Sequence, residues 1–462
     1  MRSLLFSLLL CLTTTLLSAA DKPNIILMMA DDLGWGDVGY NGHDRLLTPH
    51  LDRMAAEGIR FNRFYAAAPV CSPTRGSCIT GRHPYRYGIY FANTGHLPAE
   101  EMNLAEFLKT QGYATGHFGK WHLGTLTKEV IDANRGGRDK QEEHYAPPWD
   151  RGFDVCFSTE SKVPTYDPLL KPEGRAKQKF FNLIQPNEPT EPYNTRYWTG
   201  PGETATDNMR GDDSRVIMDR VIPFVKEHAR NEKPFFAVVW FHAPHWPVVA
   251  GPKHKEPYQD LDDFHQNYYG CITALDEQVG RLRAVLQAAG VADNTLLTFC
   301  SDNGPEGSAK TGCGTAKHLR GRKRDLYEGG VRVPGLMVWP DRFPEPKVID
   351  APCSTEDYFP TVLAIFEKTL PKEKRMPFDG VNFLPIIDGK QTERGSYMGF
   401  RSRKQLAWTG DRYKLFSDND GKTWELYDLR EDESESNNIA KNKPDLVEQL
   451  TKDLNTWVES LE

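Results

Sequence analysis

Five short apolar runs recur along this chain, each followed by polar punctuation and then a helical pattern, and that alternation leaves few folds open. The runs are residues 24–29, 113–118, 235–241, 295–300 and 335–339. They are mostly apolar, without the regular in-and-out alternation of a half-exposed strand. A strand covered on both faces needs that pattern, so the five are expected as buried parallel strands of one sheet. Helices are expected between them. Thr48-Pro49 opens one that Gly58 closes, and Leu104, Phe107 and Leu108 mark a second that Gly112 closes. Longer amphipathic helices are expected over 213–230, with Pro223 inside, and over 264–289. The fold class read from this is α/β, an α/β/α sandwich with the sheet covered on both sides.

The rhythm fails in two places. Residues 136–211 are rich in Pro, Gly, Tyr and Trp and read as an ordered aromatic loop near a cleft. From about Arg394 the chain shows short strands at 405–408, 413–416 and 423–427 with tight turns between them. A last helix follows Pro444, with Leu446, Leu450, Leu454, Trp457 and Leu461 on one face. The division expected is 1–20 as an export signal, 21–392 as the main domain, and 393–462 as a smaller antiparallel sheet plus helix. The signal is read from Arg2, the apolar stretch 4–17 and the small residues Ser18-Ala19-Ala20. Cys11 follows Leu10 rather than a small residue, which argues against a lipid anchor, and no later stretch is apolar for long enough to span a bilayer. An exported protein, periplasmic or secreted, is therefore expected. Export permits disulfides among the remaining cysteines, but sequence cannot choose their pairing. The net charge of −7 and the lack of any nucleic-acid motif argue against a nucleic-acid partner.

Four of the five runs end in ionisable pairs: Asp31-Asp32, Lys120 with His122, His242 with His245, and Asp302-Asn303. In open α/β sheets ligands bind beyond the carboxyl ends of the strands, so these endings are read as one site. Asp31, Asp32, Asp302 and Asn303 offer only oxygen, which suits Ca²⁺ or Mg²⁺ better than zinc. Each Asp pair on its own would also fit ordinary turn and cap chemistry. Lys120 and His122 flank Trp121, so in an extended segment both would point to one side. A basic run over 318–324 places Lys323, between Arg322 and Arg324, as a candidate anion contact.

The run Cys71-Ser72-Pro73-Thr74-Arg75 contains the pattern C-x-P-x-R and continues to Thr80-Gly81-Arg82. Pro73 suits a helix's first turn, which would put residue 71 at a helix N-terminus, where backbone N–H groups favour an anion. Taken alone, Cys71 could equally be a structural thiol, an ordinary nucleophile or half of a disulfide. The motif, together with Ala30-Asp31-Asp32-Leu33-Gly34, Gly119-Lys120-Trp121-His122-Leu123-Gly124, Pro244-His245-Trp246-Pro247, Ser301-Asp302-Asn303-Gly304 and Tyr327-Glu328-Gly329-Gly330, resembles the type I, formylglycine-dependent sulfatases over nearly the whole chain. Ile79 departs from the leucine that is commoner in that family.

The resemblance implies an alkaline-phosphatase-like fold and hydrolysis of sulfate esters. It implies that a maturation enzyme converts Cys71 to formylglycine, and that one Ca²⁺ is held by Asp31, Asp32, Asp302, Asn303 and residue 71. It further implies Arg75 as a stabiliser of the hydrated aldehyde, Lys120 and Lys323 on the sulfate oxygens, His245 as the acid for the leaving alcohol and His122 as the base that releases sulfate. His242 matches less specifically and is assigned to substrate contact. A sulfated saccharide, from a marine polysaccharide or a glycosaminoglycan, is the expected substrate. Two alternatives stay open: a phosphate mono- or diester hydrolase of the same superfamily, and a catalytically inactive glycan-binding protein.

Overall fold

A computed structural model gives the fold and describes residues 22–174, 178–371, 374 and 376–461, so the expected export signal lies outside the described residues. The central sheet has ten strands. In chain order they are Asn24–Ala30 (β1), Ile59–Phe61 (β2), Ala114–Lys120 (β3), Val155–Thr159 (β4), Trp198–Gly200 (β5), Glu203–Thr204 (β6), Phe235–Trp240 (β7), Thr295–Ser301 (β8), Gly335–Val338 (β9) and Lys347–Ile349 (β10). Their spatial order is β10-β2-β9-β8-β1-β7-β3-β4-β5-β6. The block β8-β1-β7-β3-β4 is parallel throughout.

Both faces of the parallel block are covered, which explains the apolar runs. In β1, Ile25, Leu27 and Met29 face one core, against the helices Leu104–Thr110 and Tyr358–Ile365; Ile26 and Met28 face the other. That second core is closed by the helices Pro49–Glu57, Asp213–Arg230 and Asp263–Ala288. Each aliphatic side chain sealed in this way contributes roughly 1.5–3 kcal/mol relative to exposure. Thr48 stands where a cap is expected, but its hydroxyl donates to Asp52 Oδ1 at 3.0 Å and makes no cap bond to the helix backbone.

Two expectations change. The run at 335–339 is not a parallel strand: β9 pairs antiparallel with β8. The chain leaves β8 at the sheet's carboxyl edge and re-enters from the same edge after residues 302–334, whose one helix, Glu328–Val331, is too short to carry it back across the sheet. The stretch 136–211 is also not one loop. It contributes β4 to the parallel block and β5 and β6 to the sheet edge.

The C-terminal unit is a separate antiparallel sheet of Met398–Ser402 (β11), Gln405–Thr409 (β12), Tyr413–Ser417 (β13) and Glu425–Asp428 (β14), the first of which the turn pattern did not reveal. The helix Pro444–Glu459 closes it by setting Leu450 and Leu454 against Leu406, Leu415 and Leu426. Cys71, Cys78, Cys156, Cys271, Cys300, Cys313 and Cys353 are all buried and unpaired.

Candidate active site

Parallel register gathers the charged endings. Ala30 lies beside Ser301, so Asp31-Asp32 and Asp302-Asn303 leave adjacent strands together. The Asp302 amide donates to Ala30 O at 3.2 Å, and the Asp32 amide to Asp302 Oδ1 at 3.0 Å. Lys120 is the last residue of β3, two strands away. Gly119 before it must be glycine, because a Cβ there would stand 1.9 Å from the Trp240 carbonyl oxygen. Cys71 is the first residue of the wholly buried helix Cys71–Thr80, which ends at Gly81 in the left-handed region (φ 69°). These elements enclose a cavity of about 380 Å³ that Cys71, Lys120, His122, His245 and Lys323 line. A larger cavity of about 560 Å³, walled by Lys128, Tyr145, Arg196 and Trp198, gathers no carboxylate cluster and no nucleophile. Chemistry, not size, marks the site.

Three buried carboxylates there each meet a side-chain cation. Lys120 Nζ donates to Asp31 Oδ2 at 2.6 Å, Lys323 Nζ lies 2.7 Å from Asp32 Oδ1, and Arg75 Nη2 donates to Asp302 Oδ2 at 2.6 Å. Burial opposes ionisation of Asp31, yet Lys120, His245, Arg75 and Lys323 outweigh it and hold its carboxyl well below the usual range. Burial, with Asp31 adjacent, pushes Asp302 up to about 7 against the pull of Arg75, and burial likewise raises Asp32. One low and two raised carboxyls are what crowded acids show when the local cations fall short, and a divalent ion would favour ionisation of all three.

A further observation fits a hard cation to this place. Asn303 spends its amide nitrogen on Asp32 Oδ1 (2.7 Å) and Gly304 O (2.9 Å), while its carbonyl oxygen is buried without a partner among the described residues. Ligand atoms of Asp31, Asp32, Cys71 and His245 lie within 4.8 Å of one another. The oxygens in that set, with the Asn303 carbonyl, match Ca²⁺ or Mg²⁺ rather than zinc. The Cys71 thiol donates to Asp31 Oδ1 at 3.5 Å, and burial chiefly, with Asp302 next, pushes its pKa far up. An ordinary thiolate nucleophile is therefore disfavoured here.

Several expected residues sit differently from their sequence reading. His122 is not extended: its φ is 58°, and a turned backbone, not strand alternation, brings it to the cavity beside Lys120. Arg75 is fully buried, with Nε and Nη2 on Asp302, Nη1 on the Lys120 carbonyl and the guanidinium 5.2 Å over the Trp240 ring. His242, expected at substrate, is not among the residues that line the cavity. Its ring is fully buried, with Nδ1 2.8 Å from Asp213 Oδ2 and Nε2 2.7 Å from Thr159 Oγ1, and it ties β4 to a helix start. His245, three residues on, does reach the cavity, with Nδ1 on Trp246 O (2.7 Å) and Nε2 3.6 Å from Asp32 Oδ2. Of the three neighbouring cations, Lys323 meets the carboxylates. Arg322 binds loop carbonyls, and Arg324 pairs with Glu306 at the rim.

The aromatic residues of 136–211 mostly pack inward: Tyr197 stacks on Phe157 at 4.2 Å and Trp198 Nε1 donates to Asp132. The aromatic side chains at the cavity are Phe91 and Trp246 instead. Asn93, Asn134, Ser161, Lys162 and Glu306 also line it, and no motif pointed to them.

Comparison with known proteins agrees with this geometry. A family model described as Sulfatase matches residues 23–368, and one described as N-sulphoglucosamine sulphohydrolase, C-terminal, matches 318–461. N-acetylgalactosamine-6-sulfatase of Sus scrofa is 32% identical over 419 residues, covering 86% of this chain and 72% of its own. Arylsulfatase G of Rattus norvegicus is 30% identical over 486 residues, covering 94% and 85%. The crystal structure of Ps i-CgsB in complex with k-i-k-neocarrahexaose superposes with a TM-score of 0.77 at 27% identity, covering 94% of this chain and 92% of that one.

Proposed function

The chain belongs to the sulfatase family and is a sulfuric ester hydrolase, and from that premise we propose that it is exported and desulfates a carbohydrate, using a formylglycine at position 71 and one Ca²⁺. The supporting observation is the position of Cys71 at a helix start, its sulfur 3.5 Å from Asp31 Oδ1, in a cavity shared with Lys120, His122, His245 and Lys323. A separate maturation enzyme would carry out the two-electron oxidation of the thiol carbon. Asp31, Asp32, Asp302, Asn303 and residue 71 would hold the cation, which when bound draws charge from sulfate oxygens and makes a neighbouring hydroxyl more acidic. A hydrated aldehyde carries two hydroxyls: one attacks sulfur, and loss of the other's proton lets sulfate leave with the carbon–oxygen electron pair as the aldehyde re-forms.

The chain's own groups divide the remaining work. Lys120 and Lys323 now neutralise Asp31 and Asp32. A cation held by those carboxylates would take over that neutralisation, and both ammonium groups would then be available to the ester oxygens. His245 donates its Nδ1–H to a backbone carbonyl, so Nε2 is the nitrogen left to face the cavity; it serves as the acid once it has taken up a second proton, which it then gives to the leaving oxygen. His122 takes the proton from residue 71. Arg75 orients Asp302 for the cation.

A sulfated saccharide is favoured by the names of the relatives and by the oligosaccharide bound to the structural neighbour. Lys162, Arg324 and Phe91 give the cavity rim cations and an apolar face for such a ligand. The export reading rests on residues 1–20, and no helix among the described residues is long and apolar enough to cross a membrane.

Peptide mass spectrometry across residue 71, after co-expression with a maturation enzyme, is the direct test. Formylglycine at 71 is expected in active protein, and full activity with an intact thiol would overturn the mechanism. For the substrate class, kcat/KM on sulfated oligosaccharides is expected to exceed that on simple aryl sulfates. The opposite order would remove the carbohydrate assignment.

A further inference from the structure

His122 has a wiring that motif matching does not explain. Its Nε2 lies 2.8 Å from Asn93 Oδ1, and its Nδ1 is buried with no hydrogen-bond partner among the described residues. A neutral imidazole carries one proton, and the partner of one nitrogen decides which nitrogen holds it. Asn93 is itself held. Asn134 Nδ2 donates to Asn93 Oδ1 at 2.9 Å and to Ser161 Oγ at 2.9 Å, so the Asn93 oxygen that faces His122 Nε2 is the same oxygen that accepts from Asn134. With its oxygen facing that way, Asn93 can only accept from His122, which places the ring proton on Nε2.

The surrounding loops are clamped to preserve this. Glu160 accepts from the Arg135 and Gly136 amides at 2.9 and 2.8 Å, and Arg135 Nη1 donates to Gly95 O at 2.7 Å, tying the Asn134 loop to the Asn93 loop. The Asn93 amide donates to Ser72 Oγ at 3.4 Å, one residue from Cys71. Both Asn93 (φ 62°) and His122 (φ 58°) take left-handed backbone, which for histidine costs roughly 1–2 kcal/mol. Two such residues joined side chain to side chain are an arrangement the fold maintains against that cost.

We propose that Asn93, oriented by Asn134, is a positioning residue that fixes His122 as the Nε2–H tautomer and leaves Nδ1 as the nitrogen that accepts the proton from residue 71. The inference rests on the sulfatase mechanism above for the use of that proton, but the tautomer itself does not depend on it. In the step served, the O–H proton moves to Nδ1, its electron pair closes the carbonyl, and the pair of the broken carbon–oxygen bond departs with sulfate.

The test has two arms. Nitrogen-15 NMR of histidine-labelled protein, with His122 assigned by its loss in His122→Ala, is run on the unmatured thiol form. A neutral Nε2–H ring is expected, with a mixture of tautomers in Asn93→Ala. An Nδ1–H ring in the parent protein, or an unchanged tautomer in Asn93→Ala, would overturn the proposal whatever residue 71 proves to be. In matured enzyme, Asn93→Ala is expected to lower kcat by about 10²-fold, with a first-turnover burst of alcohol that outruns sulfate release. Asn93→Asp keeps the acceptor, so kcat should stay within about tenfold of the parent even as its negative charge raises KM. Equal kcat losses in both variants, with no burst, would mean that Asn93 only supports the loop. Mass spectrometry at residue 71 separates that result from failure of the mechanism itself.

Discussion

At the scale of single residues, nearness to a motif does not decide what a side chain does here. His242 and Lys162 illustrate it: the first lies beside a motif and the second in none, yet only the second lines the cavity. Lys162 meets no carboxylate within salt-bridge range among the described residues, and burial, then Lys120 and Lys323, pulls its pKa down. A cation kept without a partner beside two others is suited to an anionic ligand. Lys162→Ala is expected to raise KM by about tenfold, equivalent to about 1.4 kcal/mol of binding, with kcat little changed. His242→Ala should do the reverse. It strands Thr159 and Asp213 in the core, costs about 2–4 kcal/mol of stability, and leaves KM alone in steady-state assays. Sequence could identify Asp31, Cys71 and Lys120 because charge at a strand end, or a helix-start motif, leaves a local trace, whereas Lys323 could not be told from Arg322 and Arg324 beside it. Local pattern alone could not separate His242 from His245, since a turn decides which ring faces the cavity; only the family resemblance gave them different roles. Nor could it find Asn93 or Lys162, whose roles exist only through residues distant in the chain.

At the scale of elements, what could be read depended on how a strand is buried. β1, β7 and β8 are apolar on both faces and stood out, whereas β4 reads Val155-Cys156-Phe157-Ser158-Thr159 with an exposed first residue and polar last two, and so vanished among loop residues. The antiparallel sense of β9 depends on the route of a long connection that no local pattern encodes. Helix ends were more legible, and one carries a pH signature. Asp212 caps Asp213–Arg230 by accepting from the Arg215 amide at 3.0 Å, while its other oxygen is buried and unpartnered among the described residues. Burial pushes its carboxyl up to about 7, against the Arg215 amide bond, so the folded chain keeps a proton that the unfolded chain has released. Stability from this group is therefore complete below about pH 4, the unfolded value, and is lost as pH rises toward 7. Asparagine caps helices as well as aspartate does and cannot ionise. Asp212→Asn should raise Tm at pH 8 and change it little at pH 4, a differential on the order of 3 kcal/mol. An equal Tm shift at both pH values, by calorimetry, would show that the carboxyl is not held neutral.

At the scale of the whole molecule, the C-terminal sheet is joined to the site by buried charge. Lys414 on β13 is fully buried, 3.0 Å from Glu328 Oε1 and 2.8 Å from Glu435 Oε1, and the Tyr65 hydroxyl donates to Glu328 Oε2 at 2.8 Å. Glu328 opens the turn that reaches Gly330, whose carbonyl accepts from the Gly304 amide at 2.9 Å, directly after Asn303. Contact there is tight enough that a Cβ on Gly304 would stand 2.0 Å from Gly329 O. Breaking a buried ion set from one side leaves charge uncompensated, typically at about 3–5 kcal/mol, whereas replacing the whole set with neutral groups can be nearly neutral. Lys414→Met should therefore lower Tm sharply and, by loosening the Gly304 contact, weaken binding of the proposed Ca²⁺ in calorimetric titration. Adding Glu328→Gln and Glu435→Gln to Lys414→Met should restore most of the Tm. If Lys414→Met lowers Tm while Ca²⁺ affinity stays at the parent value, the C-terminal sheet stabilises the fold without buttressing the metal loop. If both fall and the triple variant recovers both, the smaller sheet is part of what holds the site in shape.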